Sequence, residues 1–301
     1  MRKQFTATIK EIFSKDKKTI MLLGDIGVYS FRDLFKKYPK RFYNIGILEQ
    51  SMISMAAGLS NVGFNPIVHT IAPFIVNRAF EQLKIDFGYN KLKGNFVSIG
   101  SSYDYAALGC THHCPEDINL IHNIPDMDIV IPGTSKEFDK LFKYGYKKNN
   151  PTYFRLSDYE NNYEFNVKYG KGHFLNQNSP LTILAFGPTL NFVMPVFKKY
   201  KTNLAYFTTI RPLDYKLLKR ISLISKNVII IEPFYTGSVS SEIIKIIHKN
   251  CKISNISVPK KFLTNYGLKY EHDYKLGFSE KYLSQKVRNI IKKWPIIFLT
   301  W

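Results

Sequence analysis

Cysteine is scarce in this sequence, which has 301 residues and contains only Cys110, Cys114 and Cys251. Three cysteines are too few for a disulfide framework and are typical of a protein kept in a reducing compartment. Uninterrupted apolar runs of the ~18 residues that a membrane helix needs are also missing. The N-terminus is basic, but Lys10 and Glu11 interrupt the segment after it, so the pattern of a secretory signal is absent. These features predict a cytoplasmic protein that does not insert into a membrane.

Acidic residues are few as well, since 23 Asp and Glu stand against 43 Lys and Arg, a net charge of +20. Such an excess can attract nucleic acid, an anionic membrane, a phosphorylated substrate or an acidic partner. The lysines are spread along the chain, and the sequence has no aromatic-glycine RNA motif, zinc finger or basic-region heptad. We therefore expect no nucleic-acid partner.

Apolar residues make up 45% of the chain, a normal fraction for a globular protein. In the first half, short apolar runs alternate with helical segments that begin near Glu49, Phe74 and Ser135. Met52 and Met55 lie on one face of the first of these helices, which we expect to be buried. The predicted strands are Thr19–Leu23, Pro66–His69, Asn95–Ile99, Asp128–Ile131 and Thr152–Arg155.

A second alternating set comes after a polar and aromatic stretch that ends at Pro180. Its apolar run Val228–Ile231 is typical of a strand covered on both faces. Its predicted elements are the strands Leu181–Phe186, Leu204–Phe207 and Asn227–Glu232, a helix near Ile243, and a helix over about 280–293. We predict an α/β fold with two domains, 1–165 and 181–301, joined by a linker over 166–180. Each domain has a largely parallel sheet flanked by helices.

The segment Asn44–Gln50 contains a carboxylate, Glu49, at the start of a strongly apolar predicted helix. Considered alone, this acid has a structural explanation, because a negative charge at a helix N-terminus interacts favourably with the helix dipole and stabilises the helix by up to ~1 kcal/mol. Other motifs accompany it. They are Thr70–Phe74, Arg78–Gln82, Gly109–His113, Ile124–Met127, Leu184–Gly187, Arg211–Asp214, and Glu232 followed by Gly237. In this order and spacing they resemble the pyrimidine-binding and C-terminal domains of the transketolase family of thiamine diphosphate enzymes.

The resemblance implies cofactor-binding roles for Asp25, Glu49, Phe74 and Arg78. Glu49 would be the catalytic carboxyl group at ring nitrogen 1′ of the aminopyrimidine, where its hydrogen bond favours the imino tautomer that deprotonates the thiazolium. Phe74 would stack on that ring. The structural alternatives are a turn residue for Asp25, a core residue for Phe74 and a hydrogen-bonding residue for Arg78.

The resemblance also implies substrate-binding roles for His112, His113 and Arg155. His112 matches the histidine of a Thr-His-Gln motif and would be catalytic, because imidazole transfers protons near neutral pH. Arg155 matches an arginine that reaches a substrate phosphate, although a salt bridge would also explain it. A zinc site among Cys110, His112, His113, Cys114 and His122 is the rival interpretation. Ligands so crowded can hardly surround one ion tetrahedrally, so we predict no metal ligand in this chain.

Two positions depart from the family pattern. Leu108 replaces an acid that touches a sugar hydroxyl, and Gly100 stands in the place of an active-site histidine. Losing such partners weakens discrimination for hydroxylated substrates. The departures point to a deoxygenated, modified or nucleotide-linked sugar, or to a 2-oxo acid.

A larger departure is the missing Gly-Asp-Gly and downstream Asn, which hold the diphosphate and Mg²⁺ in this family. The resemblance therefore implies the C-terminal subunit of a split transketolase. An N-terminal subunit would carry the diphosphate-binding domain and hold most of the Mg²⁺ contacts in an α₂β₂ assembly. The expected reaction transfers a two-carbon ketol unit between sugar-type substrates. A deoxyxylulose-phosphate-synthase-like or 2-oxo acid decarboxylating carboligase subunit, and a catalytically silent scaffold subunit, are the alternatives.

Overall fold

The computed structural model describes residues 1–247 and 251–293. The strands are β1 Thr19–Leu23, β2 Phe42–Asn44, β3 Asn65–Ile71, β4 Asn95–Ile99, β5 Asp128–Val130, β6 Thr152–Arg155, β7 His173–Leu175, β8 Leu181–Phe186, β9 Asn203–Phe207, β10 Thr209–Arg211, β11 Asn227–Tyr235 and β12 Lys252–Val258. The α-helices are α1 Arg2–Lys15, α2 Val28–Lys37, α3 Glu49–Asn61, α4 Phe80–Gln82, α5 Asp117–His122, α6 Ser135–Gly145, α7 Leu190–Tyr200, α8 Tyr215–Ile224, α9 Ser240–Ile246, α10 Lys269–Leu276 and α11 Glu280–Ile291. In this part of the chain no helix combines the length and apolar character needed to span a bilayer.

Two sheets, each largely parallel, confirm the predicted α/β class. Their spatial orders are β10-β5-β6-β4-β3-β1-β2 and β12-β11-β8-β9-β7. Alternate residues of β1 enter opposite layers of the core, Met21 with Phe5 of α1 and Leu22 with Met52 of α3. Helices therefore cover both faces of the first sheet, which explains why its strands are apolar throughout.

Two short strands depart from the predicted organisation. β7 lies inside the predicted linker and pairs antiparallel with β9 of the second sheet. β10 lies inside the predicted second domain but pairs antiparallel with β5 of the first sheet. The domain boundaries stay a prediction, and residues 294–301 of the predicted second domain lie outside the described residues.

The predicted helices near Glu49 and Phe74 form with local differences. In α3 the expected burial of Met55 is wrong, because 48% of that side chain is exposed. The buried face is centred instead on Met52, Ile53 and Ala56. The second helix winds wider than an α-helix, as π-helical turns over Phe74–Arg78 and Leu83–Tyr89 on either side of α4.

The loops after β1, β2, β3 and β4 lie at one edge of the first sheet, because these neighbouring strands are parallel. Asp25 follows β1, and Glu49 follows β2 by a short loop. Phe74 follows β3, and the Gly109–His113 segment lies in the connection after β4. Ligand sites of parallel sheets form at this carboxyl edge, so the fold brings these four segments to the same edge of the sheet.

His69, buried in β3, gives a pH-dependent contribution to stability. Its Nδ1 lies 2.8 Å from the Val97 carbonyl oxygen. Burial, with a smaller contribution from the nearby Arg2, outweighs the opposing effect of the Val97 hydrogen bond and lowers the pKa of His69 from 6.5 to about 4. Because the unfolded chain binds this proton more readily, the contribution is complete above about pH 6.5 and is lost as the pH falls.

When the pH falls from about 7 to about 4, we expect the free energy of unfolding of the wild type to decrease by about 3 kcal/mol more than that of His69→Asn. Asn retains an N–H donor near Val97 but does not titrate. Urea denaturation of both proteins over this pH range measures the difference. Identical pH dependence of the two proteins would contradict the prediction.

Candidate active site

Glu49 begins α3 and is completely buried. Its Oε2 accepts a hydrogen bond of 2.8 Å from Nη1 of Arg78. Its Oε1 is buried and has no hydrogen-bond partner among the described residues. A buried carboxylate oxygen without a partner is costly, so this atom is suited to a ligand that brings a donor.

Arg78 connects Glu49 to Phe74. The guanidinium carbon of Arg78 lies 4.0 Å from the centroid of the Phe74 ring, within cation–π distance. Both residues belong to the first π-helical turn. The half-buried Phe74 ring, the guanidinium and the buried carboxylate therefore form one group, as the resemblance implied.

His112 joins this group from the loop after β4. Its ring centroid is 5.8 Å from that of Phe74, in an edge-to-face arrangement. Its Nδ1 lies 2.9 Å from Oγ1 of Thr111, which fixes one side of the ring. The His112 imidazole thus lies beside the aromatic ring predicted to stack on the cofactor, and its predicted role in proton transfer stays a prediction.

His113 contributes to the same cleft, but only 5% of it is exposed. Burial lowers the pKa of His113, and the facing ring of His272, 6.0 Å away, lowers it as well. The carbonyl groups of Tyr105 and Ala106 act in the opposite direction. The buried ring offers little surface to a substrate.

Asp25 lies in an exposed turn beyond β1. Its backbone N–H donates to Oδ1 of Asn44, and Nδ2 of Asn44 donates back to its carboxylate, at 3.0 and 3.1 Å. The same Asn44 oxygen accepts from the Gly46 N–H at 3.3 Å. Asp25 thereby holds the loop that leads to Glu49, and its predicted contact with the cofactor stays a prediction.

Arg155 is placed apart from the Glu49 group. Its Nε donates to Oδ2 of Asp117 at 2.6 Å, and 2% of its side chain is exposed. Its Nη2 lies 3.3 Å from the Pro233 carbonyl oxygen. This buried ion pair matches the structural explanation for Arg155, and its predicted phosphate contact stays a prediction.

The two departures from the family pattern have different surroundings. Gly100 has φ +77°, and a Cβ built there would overlap the ring of Tyr105. The Tyr105 ring therefore fills the space that a histidine at position 100 would need. Leu108 is 53% exposed, so an apolar surface replaces the family's acid.

A cleft of about 430 Å³ passes along Phe74, Arg78 and Thr111. It is also lined by Tyr235, Phe262 and Leu263, which were not predicted as site residues. Phe262 and Leu263 belong to none of the family motifs, Tyr235 lies between Glu232 and Gly237 of one of them, and all three are far along the chain from the Glu49 group. The described Cys, His, Asp and Glu side chains form no group of three that could hold a metal ion.

Comparison with known proteins identifies the family of this chain. Residues 1–162 match the family model described as "Transketolase, pyrimidine binding domain". An uncharacterized 33.6 kDa protein of the Rhodococcoides fascians fasciation locus is 29% identical over 294 residues, 95% of this chain and 93% of that protein. One subunit of the apulose-4-phosphate transketolase of Phocaeicola vulgatus is 26% identical over 305 residues, 97% of each chain. A solved structure described as "Split gene transketolase, inactive beta4 tetramer" superposes with a TM-score of 0.84 at 22% identity, over 96% of this chain and 97% of that one.

Proposed function

Because the chain belongs to the transketolase family, we propose that it is the pyrimidine-binding subunit of a split thiamine diphosphate enzyme. The proposed reaction transfers a two-carbon ketol unit between sugar-type substrates. The observation that carries this proposal is Glu49, whose Oε1 is buried and without a partner beside Phe74 and Arg78. A catalytically silent scaffold would have no chemical need for this arrangement.

The group fits an aminopyrimidine ring. When bound, thiamine diphosphate supplies a thiazolium carbon that becomes a nucleophile on losing its proton. Oε1 of Glu49 would hold the proton at ring nitrogen 1′, while Arg78 keeps Oε2 in place. Phe74 would provide a flat apolar wall. His112, next to Phe74, would move a proton at the substrate oxygen.

The diphosphate and Mg²⁺ would be held mainly by a second polypeptide. The sequence lacks the Gly-Asp-Gly motif that serves this purpose. A relative of nearly the same length, named as one subunit of a transketolase, supports a separate partner. We propose an α₂β₂ assembly with this N-terminal subunit. Three free cysteines, Cys110, Cys114 and Cys251, support a cytoplasmic setting.

Calorimetry with thiamine diphosphate and Mg²⁺ tests the proposal. We expect binding in a mixture with the N-terminal subunit and none with this chain alone. In the mixture, Phe74→Ala should weaken binding about tenfold, since stacking contributes roughly 0.5–1.5 kcal/mol beyond area burial. Tyr144→Ala, which removes a ring 61% exposed on α6, is the matched control and should bind normally.

Each alternative predicts a different result. Tight binding by this chain alone would overturn the split assembly. No binding in the mixture would favour a silent scaffold. Carbon dioxide release from pyruvate by the mixture would favour a decarboxylating carboligase over ketol transfer.

A further inference from the structure

Part of the wall of the cleft along Phe74 and Arg78 is formed by Tyr235, Phe262 and Leu263. Tyr235 ends β11, and the other two lie in the segment between β12 and α10. All three come after the predicted linker in sequence. The C-terminal half of the chain thus lines this cleft together with Phe74 and Arg78 of the first half.

This wall is fixed to the rest of the molecule. The Tyr235 N–H donates to the Pro115 carbonyl oxygen at 2.8 Å. Oγ of Ser102 donates to the Pro233 carbonyl oxygen at 2.6 Å. The buried Glu232 carboxylate accepts 2.8 Å hydrogen bonds from the N–H groups of Val239 and Ser240, which holds the turn after Tyr235. The backbone at Tyr235 therefore has a defined position at the cleft.

Phe262 is unusually exposed for a large apolar side chain. It is 75% exposed although it lines the cleft, and the nearby Tyr266 is 72% exposed. The Tyr266 ring packs on Gly109, where a Cβ would lie 2.7 Å from it. Leu108, beside Gly109, adds more exposed apolar surface. This end of the cleft therefore offers aromatic and apolar surface in place of partners for sugar hydroxyls.

The charges around Phe262 are mainly basic. Lys260 and Lys261 precede it and are exposed. Arg78 lines the same cleft. The acid in the cleft, Glu116, already accepts a hydrogen bond of 2.6 Å from Asn77. Flat rings next to ammonium groups suit a ligand that combines an aromatic ring with phosphate.

We propose that Tyr235, Phe262 and Leu263 form a specificity site for a substrate with an aromatic base linked through phosphate to the reacting sugar. A nucleoside diphosphate-linked sugar has this chemistry. The base would stack on Phe262, and Lys260 and Lys261 would face the phosphates. The inference rests on the proposed function and assigns a substrate class to the same cleft.

Adenosine diphosphate is the probe, titrated into the mixture of both subunits with saturating thiamine diphosphate and Mg²⁺. We expect it to bind, and adenosine without phosphate to bind more weakly. Phe262→Ala should weaken adenosine diphosphate binding about tenfold, since a base–aromatic stack is worth roughly 1–3 kcal/mol. Tyr274→Ala, which removes a ring 64% exposed on α10, is the matched control and should leave binding unchanged.

Two separate readouts distinguish this inference from the proposed function. If thiamine diphosphate binds but adenosine diphosphate does not, the specificity site is wrong and the proposed function stands. Adenosine diphosphate binding that is equal in wild type and Phe262→Ala also overturns the specificity site. If thiamine diphosphate itself fails to bind, the proposed function fails, and this inference fails with it.

Discussion

Glu49→Gln is expected to fold, to bind the partner subunit and to lose nearly all turnover in the reconstituted enzyme. The amide is close in shape to the carboxylate but cannot take up a proton at the position of the buried Oε1. Positioned proton transfer contributes roughly 100-fold to 10,000-fold to rates, so we expect a loss of at least about 100-fold. Steady-state assay of ketol transfer by the two-subunit mixture measures it.

The control for this variant is Glu164→Gln, the same change at an exposed carboxylate that pairs with the exposed Lys136. It should leave turnover within about twofold of wild type, because exposed substitutions away from a site change little. Circular dichroism and co-purification with the partner establish that both variants fold and assemble. Normal turnover of the Glu49→Gln enzyme would remove Glu49 from the mechanism.

Asp117→Ala should give the largest loss of stability. Asp117 is completely buried, and its Oδ2 accepts hydrogen bonds from Nε of Arg155 and from the Tyr153 hydroxyl, at 2.6 and 3.0 Å. Removing it leaves a buried guanidinium without its counterion, which typically costs about 3–5 kcal/mol. That loss is a large part of the roughly 5–15 kcal/mol that stabilises a domain. Urea denaturation measures it.

Two comparisons show whether the buried charge is the cause. Asp117→Ala combined with Arg155→Met removes the charge as well as its partner, so it should recover part of the lost stability. Asp33→Ala breaks an ion pair with Lys10 whose side chains are 70% and 50% exposed. It should cost less than about 1 kcal/mol. An Asp117→Ala protein as stable as wild type would show that water reaches Arg155.

The sequence was most informative where a segment's structure depends on its own composition. The predicted strands at Thr19–Leu23, Asn95–Ile99 and Leu181–Phe186 form with the same bounds. Buried parallel strands must be apolar along their whole length, so composition marks them directly. β10 was not predicted because its pairing partner, β5, lies far away in the chain. The sequence of so short a strand contains no pattern that indicates a distant partner.

At the candidate site, the family motifs mark residues that the fold brings together, whereas residues that only folding places there carry no such mark. Glu49, Phe74, Arg78 and His112 lie together as expected. Phe262 could not be found, because an exposed aromatic residue in a loop gives no local signal of the cleft that it faces. For Arg155, the sequence was likewise compatible with two explanations, a contact with a substrate phosphate and a salt bridge.

The pairing of β10 with β5 also bears on solubility. β10 covers what would otherwise be the open edge of β5, where unpaired N–H and C=O groups would invite another chain to add a strand. A fragment cut within the predicted linker would lose β10 and expose that edge beside the buried, apolar Ile129. The C-terminal half thus protects the N-terminal half against self-association, so the intact chain is the unit to express.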